Sequence, residues 1–189
     1  DYEKSLERQM EFYLWLQSSN GPIAGGATNS YKGRYLSYPS GVPTFYGMMY
    51  VEHPVYRDPG SNHWTGNQVW AVQRLAELYY WCKKDGDGSL VSPGGEDMDK
   101  ALEKILDKWV NFFVENTTFK EIDGEPDYQV PASLDWSGAP DKNWASGSSY
   151  AENTTLHVAE ITGYGNSDMG CANSLADTLV YYAAAKGDL

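Results

Sequence analysis

Few residues in this 189-residue chain could build a disulfide framework or a zinc centre. It has two cysteines and three histidines, and the histidines (positions 53, 63 and 157) show neither metal-ligand spacing nor a cysteine partner. A zinc site is therefore disfavoured. Cys82 and Cys171 fall in separate predicted helices, where we expect two buried thiols, with a single long-range disulfide as the alternative.

Basic residues and long apolar runs are also scarce. The chain has 14 Lys and Arg against 26 Asp and Glu, a net charge of -12 and a pI near 4.5. Such a surface repels nucleic acids and anionic membranes, so neither is an expected partner. No apolar run reaches the ~18 residues of a membrane-spanning helix. Serine-nucleophile and nucleotide-binding glycine motifs are absent, so no organic cofactor is predicted.

Aromatic residues, in contrast, are abundant. They make up 14% of the chain, with 15 Tyr, 7 Trp and 5 Phe. Some of these rings must belong to the core, but rings that stay exposed on a strongly charged protein need another explanation. Stacking against the apolar faces of sugars is a common one, because neighbouring polar groups can then bind the sugar hydroxyls.

The spacing of apolar residues indicates an all-α architecture. It predicts four helices, over residues 2–17, 62–83, 95–115 and 168–186. Between them lie two long segments of loop and short-strand character, residues 18–61 and 117–166. Loops of this length are usually functional, and we expect both at the same end of the helical scaffold.

The segment 50–70 gathers acids, histidines and tryptophans beside the predicted start of the second helix. Trp64 is well placed to face a ligand, although Trp64 and Trp70 can equally be packing residues. Asp58, before Pro-Gly-Ser-Asn, can either stabilise its own turn or offer a carboxylate to calcium or to sugar hydroxyls.

Two later blocks repeat this mixture of acids and aromatic residues. Residues 132–144 contain Asp135, Trp136, Asp141 and Trp144 in a region rich in Gly and Pro. Asp168 begins the last predicted helix, where it can act as a helix cap. Hydrolysis of glycosides requires two carboxylates, but composition alone does not identify the pair.

Four long motifs resemble the catalytic module of glycoside hydrolase family 48. They are EFYLWLQSSNGPIAGGATNSYKGRY (11–35), TFYGMMYVEHPVYRDPGSNHW (44–64), SLDWSGAPD (133–141) and YGNSDMGCANSLA (164–176). The resemblance implies an (α/α)6 barrel and an inverting, processive cellulase that releases mainly cellobiose from reducing ends. Because four helices cannot supply the twelve of that barrel, we expect residues 1–189 to be an interior fragment of a single catalytic module.

The resemblance also implies roles for individual residues. The general acid and base of the family match no position here and are expected upstream, so this chain is predicted to carry no catalytic residue and to be inactive alone. The positions that match sugar-contacting residues are Tyr56, Trp64, Trp70, Trp144 and Asp168. Asp58 matches an aspartate associated with a structural calcium ion.

The expected partner is therefore cellulose or cello-oligosaccharide, and the expected location is outside the cell, with attachment to a cellulosome through modules not present here. Three alternatives stay open at this point. The substrate could be chitin, the chain could be a non-catalytic carbohydrate-binding protein, or it could belong to another all-α glycosidase or a purely structural helical domain.

Overall fold

Four helices form most of the core in the computed structural model, which describes residues 1–54, 62–86, 88–89, 91–165 and 168–188. They are α1 (Tyr2–Leu16), α2 (Gly66–Asp85), α3 (Met98–Asn116) and α4 (Met169–Lys186). All four predicted helices are thus present. Two of them end at a glycine in the left-handed conformation, Gly86 after α2 and Gly187 after α4, whose N–H groups bond the last carbonyls of each helix.

The prediction of an all-α chain, part of an (α/α)6 barrel with only short strands at one end, is wrong. The described residues also form two three-stranded antiparallel sheets. The larger contains β4 (Thr118–Ile122), β5 (Glu125–Ser137) and β6 (His157–Gly165), with β5 in the middle. The smaller contains β1 (Gly26–Thr28), β2 (Thr44–Phe45) and β3 (Met48–Val51), with β3 in the middle.

Two tight two-residue turns allow antiparallel strands to form in the segments that lack helical periodicity. Asp123 and Gly124, with φ of 54° and 84°, connect β4 to β5. Tyr46 and Gly47, with φ of 47° and 80°, connect β2 to β3. Positive φ at both central positions gives the twist that a two-residue hairpin needs. Asp-Gly is a strong hairpin signal in a sequence, whereas Tyr-Gly is not.

Helix α3 lies at the centre of the core because one of its faces is apolar over its whole length. Five of its side chains have no exposed surface: Ala101, Leu102, Ile105, Leu106 and Trp109. Spacings of three and four residues place them on one stripe. Helix α2 packs against both α3 and α4, and α1 also contacts α3, so all four helices contribute to the core.

A polar network joins α2, α3 and α4 at the edge of the core. Lys186 of α4 donates to Glu103 (2.6 Å) and pairs with Asp107 (2.9 Å), both on α3. Tyr79 of α2 donates to Glu103 at 3.0 Å, and Tyr182 donates to Asp107 at 2.6 Å. Burial acts to lower the pKa of the Lys186 ammonium group, but the two carboxylates raise it above its ordinary value.

A buried glutamine on α2 connects the loop after α1 to the core. The side-chain oxygen of Gln68 accepts hydrogen bonds from the backbone N–H of Ile23 (3.0 Å) and from the indole Nε1 of Trp109 (2.9 Å). Gln68 is 8% exposed. One oxygen atom therefore satisfies two buried donors that come from different parts of the chain.

A second buried glutamine holds the same loop against α3. The amide nitrogen of Gln17 donates to the carbonyls of Gly21 (2.9 Å) and Ile105 (2.8 Å). The loop approaches so closely that a Cβ on Gly21 would overlap the carbonyl group of Lys108. Gly21 also has φ of 116°, which side-chain-bearing residues rarely adopt.

No disulfide bond joins Cys82 and Cys171, so the alternative of a long-range disulfide is not realised. Cys82 is buried, as expected, and Cys171 is partly exposed. Among the described residues, none of the helices combines the length and apolar character that crossing a bilayer requires.

We predict that Gln68→Leu destabilises the protein by about 2–4 kcal/mol, because two buried donors lose their acceptor. Urea unfolding followed by circular dichroism measures this difference. Gln73→Leu is the matched control on the same helix, since Gln73 is only partly buried and its hydrogen bond to Asp177 is exposed to solvent. Equal stability of the two variants would show that the buried bonds are unimportant.

Candidate functional site

Trp64 lies on a short segment that pairs with the central strand of the larger sheet. Residues 63–65 run antiparallel to residues 132–134 of β5, with the N–H of Leu134 donating to the carbonyl of His63 at 2.8 Å. Strand β6 already occupies the other side of β5 here. The segment therefore continues along the edge of β5 that β4 occupies further on, and Trp64 has a fixed backbone position.

Trp64 and Trp70 meet at right angles and form what we call the aromatic platform. Their ring centroids are 5.2 Å apart with an interplanar angle of 85°. Both rings are partly exposed, 38% for Trp64 and 49% for Trp70. The two can meet because α2 begins only at Gly66, so Trp64 precedes the helix. A Cβ on Gly66 would overlap the Trp64 ring, which makes glycine necessary there.

Asp168 lies beside the aromatic platform at the start of α4. Its Oδ1 accepts a hydrogen bond from the N–H of Cys171 at 3.0 Å and caps the helix. A Cβ built on Gly170 would lie 3.3 Å from Asp168 Oδ1 and 3.7 Å from Trp70 Nε1. The backbone bond from Cys171 is the main cause that lowers the pKa of the Asp168 carboxyl. A carboxylate and an indole N–H thus flank one glycine at the edge of the platform.

Trp144 is not part of the aromatic platform. It is 5% exposed and belongs to the core cluster. Its N–H donates to the carbonyl of Thr44 (2.7 Å), and its carbonyl accepts from Tyr46 (2.7 Å), so it lies beside β2. Its ring packs against Gly94, where a Cβ would lie 3.2 Å away. Its role in binding sugar stays a prediction that its position does not support.

Tyr56 and Asp58 lie outside the described residues, so their predicted roles in binding sugar and calcium stay predictions. In the part of the chain that the structure describes, there is no group of three or more His, Cys, Asp or Glu arranged to hold a metal ion.

A pair of histidines next to the aromatic platform escaped the sequence analysis as a structural unit. The rings of His53 and His63 lie 4.8 Å apart. His63 Nδ1 is 2.9 Å from Asp135 Oδ1, and His53 Nε2 is 3.1 Å from Glu52 Oε1. Asp135 stood out in the sequence only as part of an acid-aromatic block. Its partner could not be identified, because 72 positions separate them and only the pairing of residues 63–65 with β5 brings them together.

Asp141, another acid of that block, organises a turn. Its carboxylate accepts hydrogen bonds from the backbone N–H and the hydroxyl of both Thr154 (2.7 Å each) and Thr155 (3.1 and 2.5 Å). Its own N–H donates to the buried Asn153 at 2.9 Å. Partial burial acts to raise the pKa of Asp141, but the threonine bonds outweigh it and hold the pKa at about 2. Asp141 is therefore a structural carboxylate.

We predict that Asp141→Asn lowers the free energy of unfolding at neutral pH by about 1 kcal/mol, a modest value because the group is exposed to solvent. The pKa of Asp141 is about 2 in the folded state against an ordinary 3.8. Its contribution is therefore complete above pH ~4 and is lost as the pH falls towards ~2. Urea midpoints measured from acid to neutral pH should converge for parent and variant at the acid end. A gap that stays constant with pH would contradict the assignment.

Comparison with known proteins gives matches that extend over the whole chain. The family model described as Glycosyl hydrolase family 48 matches residues 1–189. Endoglucanase F of Ruminiclostridium cellulolyticum is 52% identical over 188 residues, which is 100% of this chain and 23% of that protein. Exoglucanase-2 of Thermoclostridium stercorarium is 48% identical over 188 residues, which is 100% of this chain and 18% of that protein.

A third relative is the cellulose 1,4-beta-cellobiosidase (reducing end) CelS of Acetivibrio thermocellus. It is 45% identical over 185 residues, which is 98% of this chain and 22% of that protein. The chain thus spans about a fifth of the length of the curated relatives that it matches.

Proposed function

This chain belongs to glycosyl hydrolase family 48, and on that premise we propose that it is part of an enzyme that hydrolyses the β-1,4-glucosidic bonds of cellulose. The proposal includes inversion at the anomeric carbon and processive release of mainly cellobiose from reducing ends. Two relatives carry the names exoglucanase and reducing-end cellobiosidase, which supports this action. Within the proposal, residues 1–189 form part of a single catalytic module.

The aromatic platform is the observation that carries the proposal. Two exposed indoles at 85° form a corner, so a glucose unit can stack on one ring while its edge contacts the other. The Asp168 carboxylate and the Trp70 indole N–H lie at the edge of that corner and can bind sugar hydroxyls. Each contact is of moderate strength, which suits a polymer that must slide along its binding site.

The same geometry argues for binding and against acid catalysis at this place. The general acid of a glycosidase needs a raised pKa, so that it still carries its proton at the working pH. Asp168 has a lowered pKa and caps a helix. Asp135 is engaged with His63. We therefore assign Asp168 to substrate binding and place the acid and base on residues outside this chain.

Cellulose is favoured over chitin as the substrate. The names of the relatives refer to glucanase or cellobiosidase activity. An insoluble polymer outside the cell cannot reach an intracellular enzyme, so the proposal includes secretion. Structural calcium at Asp58 and attachment to a cellulosome stay parts of the proposal that no described residue supports.

We predict that Trp64→Ala and Trp70→Ala in the full-length protein each weaken binding of cellohexaose by about tenfold, since each removes a stacking surface worth about 1.4 kcal/mol. Isothermal titration calorimetry measures the dissociation constant. Trp81→Ala is the matched control. Trp81 lies on α2, as Trp70 does, and is 44% exposed, but it contacts Tyr80 and Lys84 and not the platform rings. Equal affinities of all three variants would remove the platform from the binding site.

We also predict that the isolated 189-residue chain releases no soluble sugar from cellulose, because it lacks the acid and the base. Reducing-sugar assays on amorphous cellulose, run on protein whose circular dichroism shows it to be folded, test this expectation. The full-length protein is the positive control. Turnover by the isolated chain would place the catalytic pair among residues 1–189.

A further inference from the structure

We propose that His63 and Asp135 are positioning residues that fix the aromatic platform through polar contacts between the segment before α2 and strand β5. The proposal rests on the proposed function only in that the platform binds sugar. The positioning itself is a property of the structure and can be measured without a ligand.

Backbone pairing alone leaves the orientation of Trp64 incompletely determined. The segment 63–65 is held to β5 by bonds from Leu134 N–H to His63 O (2.8 Å) and from Thr65 N–H to Ala132 O (3.1 Å), and by the Thr65 hydroxyl, which donates to Pro131 O at 3.1 Å. These bonds fix the backbone of the segment but leave the indole free to rotate about its own side-chain bonds. A side-chain bond next to Trp64 removes that freedom.

The imidazole of His63 supplies such a bond. Its Nδ1 lies 2.7 Å from the carbonyl oxygen of Leu134 and 2.9 Å from Asp135 Oδ1. Both neighbours are acceptors, so Nδ1 must carry a hydrogen for either contact to be favourable. The Nδ1–H group bonds the Leu134 carbonyl, and the Asp135 carboxylate lies close beside the same atom, so the ring contacts two consecutive residues of β5.

Two further residues restrain the other face of the ring. His53, which follows β3, lies with its ring centroid 4.8 Å from that of His63. His53 is in turn oriented by Glu52 at 3.1 Å. The imidazole of His63 therefore has one neighbour from the residues just after β3 and others from β5.

The arrangement predicts that the position of the donor atom matters more than the aromatic ring of His63. His63→Asn keeps a nitrogen donor at the same bond distance from the backbone as Nδ1. His63→Gln moves the donor one bond further out, past both acceptors. Asp135→Asn keeps an acceptor oxygen, whereas Asp135→Ala removes it. His63→Asn and Asp135→Asn are thus the conservative variants.

The first readout is the coupling of the two indoles. Two indoles held 5.2 Å apart couple their electronic transitions, which gives a circular-dichroism signal that depends on their mutual orientation. Subtracting the spectrum of the Trp64→Ala form isolates this signal. In the full-length protein, we expect His63→Gln and Asp135→Ala to lose most of this difference signal. His63→Asn and Asp135→Asn should retain it. The proposal is overturned if all four variants retain the signal.

The second readout is the affinity for cellohexaose, measured by calorimetry. We expect His63→Gln and Asp135→Ala to weaken binding by about three- to tenfold, with partial rescue in the conservative variants. Glu160→Gln is the matched control, because Glu160 lies directly opposite Asp135 on β6 and its change removes a charge from the same sheet. It should bind as tightly as the parent.

The outcomes separate the two proposals. If Trp64→Ala binds as tightly as the parent, the proposed function of the platform fails, whatever the optical signal shows. If Trp64→Ala weakens binding but His63→Gln and Asp135→Ala do not, the platform stands and the positioning role is wrong. Unfolding in urea accompanies each variant, and a loss of affinity that merely follows a loss of global stability, with no rescue by the conservative variants, also refutes the proposal.

Discussion

The buried side-chain oxygen of Gln68 joins the irregular loop after α1 to the helical core through two hydrogen bonds. Gln68 Oε1 accepts from the loop after α1 and from Trp109 at the centre of α3. Without it, two donors would lie in the core with no acceptor, at a cost comparable to a good part of a domain's net stability. The irregular segment is therefore held in place where α2 presents that oxygen beside α3.

The ordering extends from this point to the surface. The loop that Gln68 and Gln17 hold continues to Gly25, whose N–H donates to the side chain of Asn62 at 2.9 Å. The carbonyl of Asn62 in turn accepts the indole N–H of Trp136 at 2.8 Å. Trp64 follows two residues later. A chain of buried or half-buried bonds thus leads from the helical core to the exposed indoles.

Sequence reasoning recovered the helices and the neighbourhood of Trp64, Trp70 and Asp168, but it missed the sheets. Apolar spacing along one helix is local information, and α3 shows it over its whole length. Strand β5 instead depends on partners far along the chain, and its alternation is interrupted by register shifts against β6. The likeness to an (α/α)6 barrel also favoured helices over strands, although the Asp123-Gly124 turn was a readable hairpin signal. Trp144 lies in the core, which sequence reasoning did not foresee, since composition cannot distinguish a core tryptophan from an exposed one.

The contact between Gly21 and the carbonyl of Lys108 has a consequence for how this chain can vary over time. Any side chain at position 21 would need both an unfavourable backbone angle and a displacement of α3. Displacing α3 would in turn strain the bonds of two buried glutamines. The neighbouring backbone therefore excludes any side chain at position 21, independently of what the protein binds.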